Sequence, residues 1–308
     1  MSGRRHGRED LQRAYLQACE LDVTACKPGN VSLARPGHDM TADQFLLSAR
    51  VTAPLLAAAA LGVGERIYQA VAATRDAVGC NTNLGIVLLA APMFAALQGD
   101  TLQPALGPRL QAALARLDLD DADWAYRAIR LAAPAGLGKS DRHDVADAPR
   151  VDLRRAMSAA AERDRIAYQY AHAYRDVLDH ALPLLCRLLT RWRDPAWAAT
   201  GVYMDLLARF PDSHVARKHG SGQAAAVQAR ARALSEELLS STNPQRHLGA
   251  LDRLDEALKR DRITPGTTAD LTVATILAKD FDAFASQAAT QAALRDCSGS
   301  ELLRCVST

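Results

Sequence analysis

Residues 10–30 read DLQRAYLQACELDVTACKPGN, and this stretch indicates the structural class of the chain. Apolar side chains recur every three or four residues along one helix face, at Leu11, Ala14, Tyr15, Ala18 and Leu21. The pattern ends at Lys27-Pro28-Gly29, because proline and glycine together stop a helix. The stretch therefore predicts an amphipathic helix over 10–24, followed by a loop that carries a lysine.

Helical spacing continues along the rest of the sequence. Thr41 and Gln44 form a capping box that opens the second helix. The apolar run 51–61, closed by glycines, predicts a core helix. Further helices are predicted over 64–76, 84–97, 104–117, 121–131, 152–179, 180–192, 202–210, 213–239, 248–259 and 268–284. Three prolines fall inside these spans, where we expect kinks or breaks: Pro92, Pro108 and Pro183.

Composition agrees with a helical protein. Aromatic residues make up 5% of the chain and alanine is its commonest residue, so residues that favour strands are scarce. No composition break or internal repeat divides the 308 residues. We predict an all-α, single-domain multi-helix bundle with polar ligand-binding loops over 10–290, a disordered N-terminus over 1–9 and a C-terminal tail over 291–308.

Charge and cysteine usage narrow the class of function. With 37 basic and 35 acidic residues the net charge is +2, which argues against a nucleic-acid binder. Six cysteines without a paired or metal-ligand spacing predict reduced, mostly buried thiols. The charged N-terminus lacks the apolar stretch of a signal peptide, and no run is long enough to cross a bilayer. We expect a cytoplasmic protein that binds small molecules, contacts no membrane and could form a homo-oligomer.

The segment 133–140, APAGLGKS, fits the permissive pattern of a phosphate loop. Such a loop needs a buried strand before it and a helix directly after it. Here an amphipathic helix precedes the segment and a polar loop follows. We therefore interpret it as a structural turn, or as a phosphate-contacting loop of another kind.

The first candidate group of functional residues combines Glu20, Lys27 and Asn30 with the adjacent pair His38 and Asp39. Lysine binds phosphate, carboxylates hold Mg²⁺ and histidine exchanges a proton, so this mixture suits a phosphorylated substrate with a divalent cation. The alternative is a surface loop whose acids only cap helices and form ion pairs.

A second group stands in the loop 79–85. Asn81, Thr82 and Asn83 directly precede an apolar helix, where free N–H groups attract anions. These side chains either cap the helix or bind a ligand, and three adjacent polar groups exceed what one cap needs.

Two later segments add cations and a carboxylate. Arg217, Lys218 and His219 suit phosphate oxygens, or they form a solvated basic face. Thr268 and Asp270 stand at a helix start, where threonine caps and aspartate matches the helix dipole. Asp270 could equally bind magnesium or a ribose hydroxyl. A Ser-His-Asp hydrolase has little support, because the GxSxG pattern is absent around the candidate serines.

In their shared order these segments resemble one family, the triphosphoribosyl-dephospho-CoA synthases. These are all-helical transferases that make the prosthetic-group precursor of citrate lyase and malonate decarboxylase. The resemblance spans residues 11–280. It rests on Glu20, 27–31, 37–40, 79–85, 136–138, Asp144-Val145, Arg163-Asp164, 217–220 and 266–271.

Membership implies transfer of the triphosphoribosyl part of ATP to the ribose hydroxyl of dephospho-CoA, with release of adenine. It implies a catalytic set in which carboxylates hold Mg²⁺ and the ribose and a histidine is the base: Glu20, Asp39, Asp270 and His38. It also implies residues that bind phosphate or position the nucleotide: Lys27, Asn30, Asn81, Thr82, Asn83, Arg217, Lys218, His219 and Thr268.

Two departures from the citrate-lyase type keep alternatives open. Asn83-Leu84 stands where that type has histidine and lysine, which removes two groups suited to anions. The 216–220 segment and the loop 134–150 look more like a divergent branch in methanogens and methylotrophic bacteria. One alternative is a group-transfer enzyme of one-carbon cofactor biosynthesis, of the methanopterin or methanofuran type, with a phosphorylated donor. The others are a plain hydrolase and a non-catalytic nucleotide-binding protein.

Overall fold

The computed structural model describes residues 7–35, 40–99 and 103–305, with side chains described to residue 290. The helices are α1 (Arg8–Thr24), α2 (Ala42–Leu56), α3 (Val63–Val78), α4 (Leu84–Gln98), α5 (Leu106–Ala115), α6 (Leu119–Ala132), α7 (Leu153–Ala160), α8 (Arg165–Ala171), α9 (Leu182–Trp192), α10 (Pro195–Arg209), α11 (Ser213–His219), α12 (Ser221–Ser240), α13 (Leu248–Arg260) and α14 (Gly266–Cys305). A π-helical turn, Asp176–Ala181, precedes α9, and a 3₁₀ turn, Pro244–His247, precedes α13. The described ranges contain no strand, which confirms the predicted all-α class.

Helix α4 lies at the centre of the bundle. It is apolar along its length, nearly all its side chains are buried, and it packs against α2, α3, α5, α8 and α14. Phe94 of α4 stands edge-on to Tyr15 of α1 and to Phe281 of α14, with ring centroids 6.0 and 5.0 Å apart. Aromatic pairs prefer this arrangement, so one ring joins three helices.

Helix α10 connects two parts of the hydrophobic core. Ala199 and Val202 pack in the main cluster around α4, whereas Tyr203 and Leu207 pack with α12 and α13. Helix α14 likewise contributes to both clusters. Because two helices are shared between the clusters, the helices form the predicted single-domain architecture.

Two long predicted helices are interrupted. The helix predicted over 152–179 is divided into α7, α8 and the π-helical turn, because the side chain of Asp164 caps a new helix start at α8. The helix predicted over 213–239 is α11 followed by α12, because Gly220 takes a φ of +89° between them. Local apolar spacing predicted these residues to be helical but did not reveal the breaks.

Other boundaries also differ from the predictions. Helix α2 ends at Leu56, so the core helix predicted over 51–61 is wrong in its second half, which is a partly exposed turn. Pro92 lies inside α4 and Pro108 in the first turn of α5, and neither ends its helix. Pro183 follows the π-helical turn, so the helix does change geometry there.

The cysteines also depart from the predictions, whereas the disordered N-terminus over 1–9 and the C-terminal tail over 291–308 stay predictions. Helix α1 begins at Arg8, and α14 continues to Cys305 through most of the predicted tail. Of the free cysteines with described side chains, Cys19 is buried, Cys26 and Cys80 are half-buried and Cys186 is exposed, so mostly buried thiols was wrong. In the part of the chain searched, none of the helices is long and apolar enough to span a membrane.

Helices α3 and α6 approach each other closely at Gly64. The Gly64 N–H donates to Oδ1 of Asp121 at 2.7 Å, and an added Cβ would overlap the Asp121 backbone. We expect Gly64→Ala to lower the free energy of unfolding by about 1–3 kcal/mol, the usual cost of overpacking, measured by urea denaturation. Gly222→Ala is the control, because no described atom lies within 4 Å of a Cβ there. Equal losses in both variants would contradict the close approach.

Candidate active site

A large pocket lies where the N-terminal ends of α4 and α14 meet. Its volume is about 700 Å³, which is in the usual range for small-molecule sites. Its walls come from the loops 27–31, 79–85 and 133–145, from the starts of α8 and α14, and from α11. Two helix N-termini contribute partial positive charge to the same volume, which favours an anionic ligand.

The loop before α4 presents three polar side chains to the pocket. Asn81 Oδ1 accepts from a backbone N–H of α4 at 3.1 Å, so Asn81 caps the helix. Thr82 Oγ1 lies 2.5 Å from Oγ of Ser48 in α2, and Asn83 Oδ1 accepts from Oγ1 of Thr74 in α3 at 3.0 Å. Asn81 therefore combines capping with pocket lining, while Thr82 and Asn83 attach the loop to its neighbours.

Lys27 is buried in an ion pair at the pocket wall. Its Nζ lies 2.5 Å from Oδ2 of Asp22, and the two side chains are only 2% and 5% exposed. Burial raises the pKa of the Asp22 carboxyl, and the positive charge of Lys27 opposes that rise. Both residues line the pocket, and the Asp22 carboxylate holds the Lys27 ammonium at its wall.

The structure does not bring Glu20 to the pocket. Glu20 lies on the exposed face of α1, whereas Asp22 lies on the buried face, four residues after Ala18. A helix turns about 100° per residue, so positions two apart point to nearly opposite sides. The structure therefore places Glu20 outside this pocket, where Asp22 occupies the wall, and the role of Glu20 as a catalytic carboxylate and metal ligand stays a prediction.

Asp270 reaches into the pocket from the first turn of α14. A Cβ on Gly85 would overlap its carboxylate, so the absence of a side chain at Gly85 allows α4 and α14 to approach. Within the described residues, no hydrogen bond or ion pair engages this carboxylate. Burial raises the pKa of Asp270 well above its ordinary value, and the carboxylates of Asp212 and Asp22 add to the rise.

Thr268 turns away from the pocket. Its N–H and its hydroxyl both donate to Oδ2 of Asp212, at 2.7 and 2.8 Å, while Oδ1 of Asp212 accepts from the N–H of Val215. Asp212 thereby joins the starts of α11 and α14, and Thr268 supports the site instead of lining it. His214 beside this junction does line the pocket, and burial lowers its pKa.

Helix α11 carries two cations on the pocket wall. Arg217 Nη1 donates to Oδ2 of Asp164 at 2.6 Å, and Lys218 is exposed. Both line the pocket, whereas His219, the third phosphate-binding residue predicted in this segment, does not. Arg163 stands on the same wall as Asp164. This side of the pocket can bind anionic oxygens with planar guanidinium and flexible ammonium groups together.

Residues 133–145 form a further wall. Helix α6 ends just before them and α7 starts only at residue 153, so the expected absence of a phosphate loop of the strand-loop-helix type is confirmed. Asp144 shapes the loop by accepting from the N–H groups of Ala146 and Ser140, at 2.8 and 2.6 Å, and these bonds lower its pKa. A Cβ on Gly136 would overlap the backbone of Arg217, so the loop packs directly on α11.

One side of the pocket is apolar. Helices α6, α7 and α8 contribute Ile129, Leu153, Met157 and Ile166. Tyr126 stands beside them, and its hydroxyl donates to the carbonyl oxygen of residue 143 at 2.9 Å. The pocket therefore suits a ligand that carries both charged and apolar parts.

Most of the predicted site residues meet in this pocket. Those that line it are Lys27, Asn30, Asn81, Thr82, Asn83, Arg217, Lys218 and Asp270. Asn30 donates to Oη of Tyr203 and to the carbonyl of Pro265, so it fixes the loop after α1. Glu20, His219 and Thr268 are not in the lining, and His38 and Asp39 lie outside the described residues. Where side chains are described, no three His, Cys, Asp or Glu residues are grouped to hold a metal.

Sequence reasoning missed Asp22, His214 as a member of the candidate set, and two arginines that line the pocket, Arg75 and Arg262. For Asp22 a signal existed, because a carboxylate in phase with Ala18 falls on the apolar face of α1. The arginines carry no such signal, since each is exposed and stands near a helix end, where cations are common.

The fold and the pocket define an all-helical protein with a large pocket suited to an anionic small molecule. A sequence model of the ATP:dephospho-CoA triphosphoribosyl transferase family matches residues 8–288, so the chain belongs to this family of transferases. A crystal structure from Archaeoglobus fulgidus, described as a triphosphoribosyl-dephospho-CoA synthase, shares the fold with a TM-score of 0.60 and 23% identity. The match covers 78% of this chain and 99% of that one. No curated protein matches the sequence.

Replacing Asp270 should stabilise the protein. The pKa of the Asp270 carboxyl is higher in the folded protein than in the unfolded chain. The free energy of unfolding therefore falls as the pH rises from the unfolded pKa through the folded pKa. Asparagine cannot ionise, so it removes this loss. We expect Asp270→Asn to have a higher Tm than wild type at about pH 8, and the difference to vanish towards about pH 4, where the wild-type carboxyl is protonated. Thermal unfolding across this range measures both.

Asp152→Asn is the control for this prediction. Asp152 caps α7 by accepting from the N–H of Arg155 at 2.8 Å, and it lies outside the pocket. Asparagine is an equally good cap, so no gain in Tm is expected. A Tm for Asp270→Asn at or below wild type at about pH 8 would show that the carboxylate is not under electrostatic strain.

Proposed function

We propose that this pocket is the active site in which the triphosphoribosyl group of ATP is transferred to dephospho-CoA and adenine is released. Family membership supports the reaction and ATP as a substrate. One observation carries the assignment to this pocket: the unengaged carboxylate of Asp270 shares it with the cations of α11 and the starts of α4 and α14.

The triphosphate would bind on the α11 side. Phosphate oxygens accept charge-assisted hydrogen bonds, and the guanidinium of Arg217 and the ammonium of Lys218 supply the donors. The first N–H groups of α4 and α14 add partial positive charge. Lys27 adds its field from behind the wall, where Asp22 holds its Nζ.

Asp270 would act where positive charge develops. Cleaving the bond between adenine N9 and ribose C1′ builds positive charge on the ribose, and a nearby carboxylate stabilises it. The other pocket carboxylates are already engaged: Asp22 with Lys27, Asp144 with two backbone N–H groups and Asp164 with Arg217. Asp270 is therefore the acid that remains available in the described part of the pocket. The role of His38 as the base stays a prediction.

Magnesium belongs to this proposal only as an ion carried by the nucleotide. Glu20 lies outside the pocket, Asp39 lies outside the described residues, and no group of three His, Cys, Asp or Glu side chains includes Asp270. The described residues therefore do not fit a site built by the protein itself. A single carboxylate does fit an ion that arrives on the triphosphate, because Mg²⁺ is often held by one or two carboxylates and by substrate phosphates. Asp270 would hold it, and the ion would neutralise phosphate charge. The cytoplasmic location and a homo-oligomer also stay predictions of the sequence.

Adenine release tests the reaction. We expect free adenine, measured by chromatography, from wild type with magnesium-ATP and dephospho-CoA, and none without dephospho-CoA. Arg217→Ala should lower kcat/KM by about 10–100-fold, because one or two charge-assisted hydrogen bonds to phosphate are lost. Arg246→Ala is the control, since Arg246 is exposed in the 3₁₀ turn and lies outside the pocket.

The same assay separates the alternatives. Adenine released without an acceptor would indicate a hydrolase. No adenine from folded wild type would refute transfer to dephospho-CoA and favour a one-carbon cofactor enzyme with a different phosphorylated donor. Unchanged kinetics in Arg217→Ala would remove α11 from the triphosphate site.

A further inference from the structure

We propose that Asp164 is a positioning residue that holds the guanidinium of Arg217 in the orientation that binds phosphate. The proposal rests on the proposed function, in which Arg217 binds the triphosphate. Arg163 and Asp164 belong to the segments that resemble the family, and the resemblance implies no role for either residue.

Each oxygen of Asp164 has its own task. Oδ1 accepts from the N–H groups of Ile166 and Ala167, at 2.9 and 3.1 Å, and so caps α8. Oδ2 accepts from Nη1 of Arg217 at 2.6 Å. Because the cap fixes the carboxylate plane, Oδ2 cannot turn away from Arg217 without releasing the start of α8. The side chains are 25% and 23% exposed, so water screens this ion pair only in part.

The helix start that carries this carboxylate is itself braced. The N–H of Arg165 donates to Oγ of Ser213 at 2.8 Å, which joins the starts of α8 and α11. The guanidinium of Arg165 donates from two nitrogens to Asp176, at 2.6 and 2.8 Å. It also lies between the rings of Tyr168 and Phe210, 3.8 and 3.7 Å from their centroids. These contacts of Arg165 hold the start of α8, and with it the carboxylate of Asp164, in place.

Arg217 depends on this single partner. Its backbone is packed against Gly136, but its side chain is long and has many rotamers. Among the described residues Asp164 supplies the one hydrogen bond to the guanidinium, and Nε is buried without a partner. The ion pair thus fixes one arm of the guanidinium and leaves other N–H donors for a ligand in the pocket that both residues line.

The chain offers a matched control for the cap. Asp194 at the start of α10 accepts from the N–H groups of Ala196 and Trp197 at 2.9 and 3.1 Å, the same distances as in the cap of α8. Asp194 lies outside the pocket, and no ion pair is found for it in the described part of the chain. Asparagine or serine at either position keeps a helix cap. Only the variant at Asp164 removes a charge from Arg217.

The test measures binding of inorganic tripolyphosphate by calorimetry and the KM for ATP in the adenine assay. We expect Asp164→Asn to weaken tripolyphosphate binding and to raise the KM for ATP by about tenfold each, with a smaller change in kcat. In an Arg217→Ala background the same change should have no further effect. Asp194→Asn should leave both quantities unchanged. Asp164→Ser, which keeps a cap but cannot reach Arg217, should reproduce Asp164→Asn.

Two results would overturn the proposal. If Asp164→Asn behaves like Asp194→Asn, Asp164 is only a helix cap. If it binds tripolyphosphate more tightly than wild type, Asp164 is a counter-ion that competes with phosphate.

Failure of the proposed function would look different. Wild type would then bind tripolyphosphate through Arg217 and Asp164 but release no adenine, and the positioning role would stand. A working transferase in which Asp164→Asn and Arg217→Ala have additive effects on tripolyphosphate binding would instead overturn the positioning role alone.

Discussion

The contact between Gly85 and Asp270 is the constraint on which the pocket depends. Two helix N-termini that face one volume repel each other, because both carry partial positive charge. The carboxyl of Asp270 stands in the first turn of α14, and glycine in the first turn of α4 makes room for it. The carboxylate has no partner of its own among the described residues, so its charge is costly until a cationic group arrives. A cationic group in the pocket would therefore favour the charged form of Asp270.

The local charge of the pocket differs from that of the whole chain, which is nearly neutral, and it suits the highly charged nucleotides of the proposed function. Its lining holds six cationic side chains, Lys27, Arg75, Arg163, Arg217, Lys218 and Arg262, against four carboxylates, Asp22, Asp144, Asp164 and Asp270. Two of these acids form ion pairs, Asp22 with Lys27 and Asp164 with Arg217. The pairs hold the cations in place and, within the described residues, leave other N–H donors of both cations unpaired. The small net charge of the whole chain describes the average over its surface, and it says little about a pocket that concentrates positive charge.

The sequence pattern predicted the positions of the helices better than the contacts between them. Apolar spacing located α1, α3, α4, α6 and α13 within a few residues, because each buries one continuous stripe or is buried all round. The same spacing showed that α1 buries the side of Ala18, yet motif reading selected Glu20 instead of Asp22. Local spacing contains no information about which distant residues come together in the tertiary structure. The pocket residues that meet in this way are 22, 81–83, 164, 217 and 270.

The two predicted helices that the structure interrupts, 152–179 and 213–239, both carry residues that line the pocket. A continuous helix over 152–179 would place Asp164 in a helix interior, where its carboxylate could cap no N–H groups and would have no fixed direction. A continuous helix over 213–239 would have no turn at Gly220 to let α11 and α12 take separate directions. Each break costs regular helix hydrogen bonds. In return, α11 becomes a short helix whose cations, Arg217 and Lys218, line the pocket. The start of α8 is capped by Asp164, which orients Arg217. Local propensity is overridden here because the charged residues of the site must be placed by the backbone.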